Sequence, residues 1–295
     1  MKKHVILYFI LVANLLSAQE VISNLISNPL LLKAEFASNL DKPALDLPFL
    51  DDFSYSSSIV NSDLWEQSSV FVNRNFGLNP PTIGVATFDG LDEFGMARGF
   101  TQSNITDPSD TLLSKTIDLS SRSSVYFMFY YQAKGLGDAP ELQDKLILEF
   151  LNDTLGWEQV WLSNDTILQD FTKVVEVIDE VKFLHNSFQF RFRNYATISG
   201  NFDHWNIDYI KLDELLSISD TTELNDVSFV YSSPSFLRRY SEMPWLHFKD
   251  NMIDELKDSI DVVLRNNDAS INVDYQYNIF ENTNPVFHYT TIGLT

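Results

Sequence analysis

The sequence predicts an all-β protein, a β-sandwich followed by a partial immunoglobulin-like β-sandwich, and three observations lead to it. Aromatic residues make up 14% of the 295 residues, with 23 Phe and 12 Tyr, types that favour the pleated, half-buried surface of a strand. The run Phe188-Gln-Phe-Arg-Phe-Arg193 alternates apolar and polar residues, the period of a strand with one face buried and one wet. The run Val125 to Gln132, VYFMFYYQ, is apolar or aromatic almost throughout, as expected of a central strand covered on both faces.

Taken in order, the chain opens with Met1-Lys2-Lys3, an apolar run from Val5 to Leu16, and Ser17-Ala18-Gln19. These are the basic, apolar and small-residue parts of a secretory signal peptide (1–18), cleaved after Ala18. The apolar run is shorter than the roughly 20 residues of a spanning helix, and no later stretch reaches that length, so the mature chain is expected to carry no transmembrane segment. Residues 19–43 show no sustained period and read as a leader.

The first domain spans 44–214. Leu47 to Ser54 opens it, with Pro48 at an edge position. Trp65 and the stretch Ser69 to Asn73 follow, and Pro80-Pro81 marks a turn. Ile83 to Asp89 is a strand closed by Asp89-Gly90. Leu91 to Asp110 reads as a long polar loop, and pairing resumes over Leu112 to Leu119. Leu146 to Leu151 is the expected partner of Val125 to Gln132. Trp157 to Leu162, Phe171 to Ile178, the Phe188 run and a strand from Trp205 complete nine or ten strands, the spacing of a sandwich. In the last of these, Trp205, Ile207, Tyr209 and Lys211 are expected on one face and Asn206, Asp208, Ile210 and Leu212 on the other.

Residues 215–225, rich in Ser, Thr and Asp, form a linker. Residues 226–295 begin a second β domain, with strand-like stretches at 226–231, 260–265, 271–279 and 286–290 and a weak helical signal at 252–258. Its 70 residues fall short of an immunoglobulin sandwich of about 100, so a covalent continuation into further C-terminal domains is expected.

The chain has no cysteine, which excludes disulfides, thiol catalysis and zinc-thiolate sites. Its net charge of −21 repels phosphate backbones and argues against nucleic acid as a partner. Divalent cations are attracted instead.

The order of Asp51-Asp52-Phe53, Leu64-Trp65, Thr111 to Leu119, the aromatic strand at 125–131, Trp157 to Trp161, Phe188 to Arg193 and Ile207-Asp208-Tyr209-Ile210 resembles that of MAM-like jelly rolls. It also resembles the cleaved-adhesin-like modules of bacterial surface proteins. The phrases PPTIGVATFDGLDEFG, YQAKGLGDAPELQDKLILEF and FRNYATISGNFDHWNIDYIKL are similar to N-terminal modules of large proteins exported by the gliding-bacterium (type IX) secretion route. The likeness covers residues 47–213. It implies a secreted or cell-surface protein with an adhesive role, and a jelly roll whose first and last strands are neighbours.

That neighbourhood brings carboxylates together from both ends of the domain. Asp51 or Asp52 with Asp203 or Asp208 is the candidate calcium site, since hard cations take six to eight oxygens. Turn roles for Asp51 and Asp52, and an ion pair from Asp208 to Arg191 or Arg193, are the alternative. Asp138, Glu141 and Asp144 form a second candidate in the loop after the aromatic strand. Gly135-Leu-Gly137-Asp-Ala-Pro140 lacks the third glycine and the Lys-Ser/Thr pair of a phosphate loop.

His185, His204, His247 and His288 lie in different elements without metal-ligand spacing, and no nucleophile elbow or zinc-protease motif occurs. No catalytic constellation emerges. Trp65, Trp157, Trp161 and Trp205 are candidates for a sugar-stacking platform. The expected function is that of a non-catalytic adhesion or ligand-display module meeting an extracellular glycan or protein. The alternative is a carbohydrate-binding accessory module of a larger secreted hydrolase.

Overall fold

The computed structural model describes residues 43–99, 105–221, 226–267 and 274–290. The expected signal peptide and nearly all of the leader lie outside the described residues. Among the described residues, the first domain contains eleven strands: β1 (Phe49–Asp51), β2 (Trp65–Ser68), β3 (Phe71–Asn73), β4 (Val85–Phe88), β5 (Thr106–Ser114), β6 (Val125–Ala133), β7 (Lys145–Leu151), β8 (Trp157–Ser163), β9 (Thr172–Ile178), β10 (Phe190–Thr197) and β11 (Trp205–Glu214). They form two sheets, one ordered β3-β4-β11-β6-β9 with β1 also on β11, the other β2-β5-β10-β7-β8. Every pairing within the two sheets is antiparallel. This is a jelly-roll-like sandwich.

Aromatic rings fill the space between the sheets. Phe127 and Phe190 meet across the core with centroids 4.6 Å apart, and Phe129 meets Phe192 at 4.9 Å. Such edge-to-face pairs add about 0.5–1.5 kcal/mol beyond the area they bury. The alternation of β10 is as the sequence predicts: Phe190 and Phe192 are fully buried while Arg191 and Arg193 face outward, half-buried. All nine residues of β6 are buried, because the strand is paired on both sides and covered on both faces.

Three expectations need correction. β7 does not pair with β6; it lies in the other sheet between β10 and β8, since the loop after β6 crosses from one sheet to the other. Residues 106–110, expected as loop, begin β5 and pair with the end of β10. The short strand expected over Ser69 to Asn73 is β3, and β2 just before it belongs to the other sheet.

The third concerns β11. A bulge between Asp208 and Lys211 breaks its alternation, and Tyr209 takes a left-handed φ of 52° there. Ile207, Ile210 and Leu212 therefore all face the main core, while Tyr209 turns to an outer cluster with Tyr126, Met128 and Tyr130. A bulge of this kind swaps the faces of everything beyond it.

Beyond the linker, β12 (Val227–Phe229) pairs with β13 (Leu264–Asn266), and β14 (Gln276–Glu281) pairs with β15 (Asn284–Thr290). Two short helices, α1 (Trp245–Phe248) and α2 (Met252–Glu255), lie between β12 and β13. The β12–β13 ribbon touches the first domain at one loop: Asn79 N–H donates to Tyr231 Oη at 2.9 Å, Arg265 donates to Asn79 O at 2.9 Å, and Asn267 Nδ2 donates to Pro81 O at 3.0 Å.

Candidate functional site

The domain presents two outer sheet faces of different character. On the six-stranded sheet, the loop 74–84 folds over the strands. Leu78 and Gln132 exchange two hydrogen bonds of 2.9 and 3.0 Å, and Phe76 stacks on His204 with centroids 5.1 Å apart. His204 is buried, its Nδ1 accepting from Asp138 N–H at 2.9 Å. Burial holds the imidazole below its ordinary pKa, so it is a neutral packing residue.

The carboxylates expected to converge divide into two places. β1 does pair with β11, with Asp51 opposite Ile210, which brings the two ends of the domain together. The Asp51 carboxylate accepts from Trp65 Nε1 at 2.6 Å and Phe53 N–H at 3.0 Å. Burial, opposed by the Trp65 bond, pushes its pKa up to about 6. Asp52 accepts from the Ser54 amide and hydroxyl. Asp208 is fully buried and accepts from Thr82 N–H at 2.8 Å and Tyr209 N–H at 2.6 Å.

The Thr82 hydroxyl lies 2.7 Å from Asp52 O and 3.0 and 3.2 Å from the two Asp208 oxygens, yet it carries a single proton. Oxygens outnumber donors at this point. Burial holds Asp208 well above the usual carboxylate range, with Asp52 as a further raising charge, and no Lys or Arg among the described residues pairs with it. The anticipated ion pair to Arg191 or Arg193 is not formed, because those arginines lie on the other sheet and bind Glu149.

Asp203 stands apart from Asp208. It precedes β11, accepts from Thr197 N–H at 2.7 Å, and feels the charge of Glu141. Asp144, of the second candidate set, feels both Asp203 and Glu141; burial and these charges push its pKa up to about 6. Among the described residues, no three carboxylates or imidazoles converge as a metal-binding group.

The outer face of the five-stranded sheet is open and polar. Reading across neighbouring strands, Gln159, Glu149 and Arg191 form one row continued by Leu113 and Gln67; Leu162, Ile147, Arg193 and Thr111 form the next. Arg191 Nε and Arg193 Nε both donate to Glu149 Oε2, at 2.6 and 2.8 Å, and Arg193 adds a 3.0 Å bond to Oε1. Burial works against ionisation of Glu149, but these bonds outweigh it and hold its pKa below the ordinary value. The Arg191 guanidinium lies 4.1 Å from the Trp157 ring centroid, and Lys145 Nζ lies 4.3 Å from that of Tyr195. Both rings are thus fixed on the face by a cation.

Of the four tryptophans considered as platform residues, Trp157 alone occupies this face. Trp65 and Trp205 are core residues, and Trp161 packs edge-on against Phe129 and Tyr131 at 5.0 and 4.8 Å. Tyr195 was not singled out from sequence, although its position two residues beyond Arg193 places it on the same outward face.

No family model matches the chain, and no curated protein matches it. Among solved structures it is similar to a family 16 carbohydrate binding module-2, with 12% identity and a TM-score of 0.33 over 51% of this chain and 90% of that one. It is also similar to the K3 cleaved adhesin domain of Lys-gingipain from Porphyromonas gingivalis w83, with 10% identity and a TM-score of 0.28 over 45% and 74%. A third is CBM27-1 of Caldicellulosiruptor saccharolyticus, in complex with mannohexaose, with 14% identity and a TM-score of 0.31 over 56% and 96%. At these TM-scores the likenesses carry no argument about ligand. Among the described residues, no helix is long and apolar enough to cross a membrane.

Proposed function

We propose that residues 44–214 form a non-catalytic adhesion module of an exported cell-surface protein, and that its ligand is an extracellular glycan. The observation that carries this reading is the open face of the five-stranded sheet, where Trp157 and Tyr195 are held by cations beside a ladder of Gln, Glu and Arg. Aromatic rings offer an apolar surface for the faces of sugar rings, and flanking amides and charges bind hydroxyls. The side chains stand on paired strands, so little ordering accompanies binding. Replacing Trp157 by alanine is expected to abolish measurable binding in affinity electrophoresis against immobilised polysaccharides while leaving the cooperative thermal transition in place. Undiminished binding by the variant sinks the platform.

The same reading includes a structural calcium held by Asp52 and Asp208, with Asp51 adjacent. Bound there, the ion supplies the positive charge that a buried carboxylate otherwise lacks. A ligand bound to the folded state alone adds about 2.7 kcal/mol at a hundredfold excess over Kd. Calcium at fixed ionic strength is therefore expected to raise the melting temperature, and Asp208→Asn to remove most of that increment. An equal rise with magnesium and sodium, or a full calcium increment in the variant, counts against the site.

A further inference from the structure

A cleft of about 220 Å³ opens beside this face, lined by Glu66, Gln67, Ser69, Glu93, Arg98 and Ser109 among others. Gln67 belongs to the row that contains Arg191, and the lining residue Thr111 belongs to the row that contains Arg193, so the cleft and the platform share a rim. From β8, which carries Trp157, to β2 there are four inter-strand steps of about 4.8 Å, or roughly 19 Å. A chain laid across the strands from Trp157 arrives at this cleft.

Its polar groups are ready for a ligand. Ser109 is only 9% exposed, and its hydroxyl is buried with no hydrogen-bond partner among the described residues, a condition that costs free energy unless something else supplies the bond. Arg98 spends NH2 on Leu91 O at 2.9 Å and Asp110 at 3.3 Å, and its other guanidinium nitrogens have no protein acceptor among the described residues. Ser69 Oγ accepts from Thr111 N–H at 2.9 Å, leaving its own proton to give. Glu66 uses one carboxylate oxygen on Gln189 Nε2 at 2.8 Å.

Donors and acceptors are therefore interleaved. A phosphate site would hold donors alone, and an amine site acceptors alone. A polyhydroxylated ring needs both, since each hydroxyl gives one proton and accepts others. The volume lies below the roughly 300–1,000 Å³ of pockets for drug-sized ligands, which suits one ring.

We infer that this cleft is a subsite for a single sugar residue of the glycan whose neighbouring residues lie on the Trp157 platform; the inference rests on the platform reading. Ser109 gives its hydroxyl proton to the sugar, and Arg98 and Glu66 bind hydroxyls on either side.

Isothermal titration of the wild-type chain with cellohexaose, xylohexaose, mannohexaose and a galacturonic acid hexamer, repeated with Ser109→Ala and Trp157→Ala, tests it. On the hexaose that binds, Ser109→Ala is expected to weaken affinity roughly three- to tenfold, the effect of one hydrogen bond. Its melting temperature should not fall, because the hydroxyl has no partner in the protein to lose. Wild-type affinity in Ser109→Ala, with binding lost in Trp157→Ala, overturns the subsite and leaves the platform standing. The converse pattern overturns the platform and, with it, the subsite as a part of that platform. If no hexaose binds the wild-type chain, both are overturned.

Discussion

Phe190→Ala is expected to lower the melting temperature of the first domain by about 6–20 °C. The Phe190 ring is fully buried and meets Phe49, Trp65 and Phe127 edge-on, with centroids 5.1, 5.6 and 4.6 Å apart. It joins β1 and β6 of one sheet to β2 and β10 of the other. Removing a buried phenyl group costs about 3–5 kcal/mol through lost transfer energy and the cavity left behind, and a domain of this size loses about 2–4 °C per kcal/mol. The wet side of the same strand supplies the control: Arg191→Gln keeps the core intact and should move the transition by no more than a few degrees. Thermal unfolding followed by circular dichroism measures both. A Phe190→Ala shift no larger than that of Arg191→Gln means that the aromatic cluster is not what joins the sheets.

Acidification from pH 8 to pH 5 is expected to stabilise the protein, against the usual direction. Asp110 is fully buried, and burial together with the neighbouring Asp89 pushes its pKa up to about 8; burial raises Asp89 itself to about 6. Arg98, 3.3 Å from Asp110, offsets only part of this. A carboxyl with a folded-state pKa above its unfolded value holds its proton more tightly when folded. Its stabilisation is complete below about pH 4 and fades as pH rises towards about 8. A shift of this size corresponds to a few kcal/mol, as an order of magnitude. Asp110→Asn keeps an acceptor for Gly90 N–H, which donates to Asp110 at 2.8 Å, and removes the titration. The variant should lose much of the pH dependence between 5 and 8 and gain on the wild type at pH 8. Relief of the general repulsion in a chain of net charge −21 acts equally on both proteins, so the difference between them isolates Asp110. A wild-type melting temperature that falls steadily from pH 8 to pH 5, or identical slopes in the two proteins, refutes this account.

What could be read from the sequence was what depends on local alternation. Phe190 and Phe192 could be placed in the core because nothing interrupts their period, and β6 could be placed centrally because no polar face remained on it. Partnership was harder. β6 and β7 follow one another in sequence, but in a sandwich whose strands alternate between sheets the next strand is as often across the core as alongside. Tyr209 defeats a period of two because a bulge inserts one residue without changing composition. The candidate site divided in the same way. The meeting of β1 with β11 was implied by resemblance to jelly rolls, whereas the sorting of Trp157 to the surface and Trp161 to the core depends on the shifted register of β8 against β7, which no local pattern encodes. Ser109 carried no signal at all, since a hydroxyl lacking a partner is a property of its surroundings.

The pairing of β1 with β11 also fixes how the domain responds to tension. Phe49 lies opposite Leu212 and Asp51 opposite Ile210, so the incoming and outgoing chains leave the same end of one antiparallel ribbon. A pull between them parts the ribbon like a zipper, loading its hydrogen bonds one after another, where a shearing geometry would load them together. A domain built this way gives way first at β1, and because the Phe49 ring is buried against Trp65 and Phe190, peeling that strand also opens one edge of the aromatic interior.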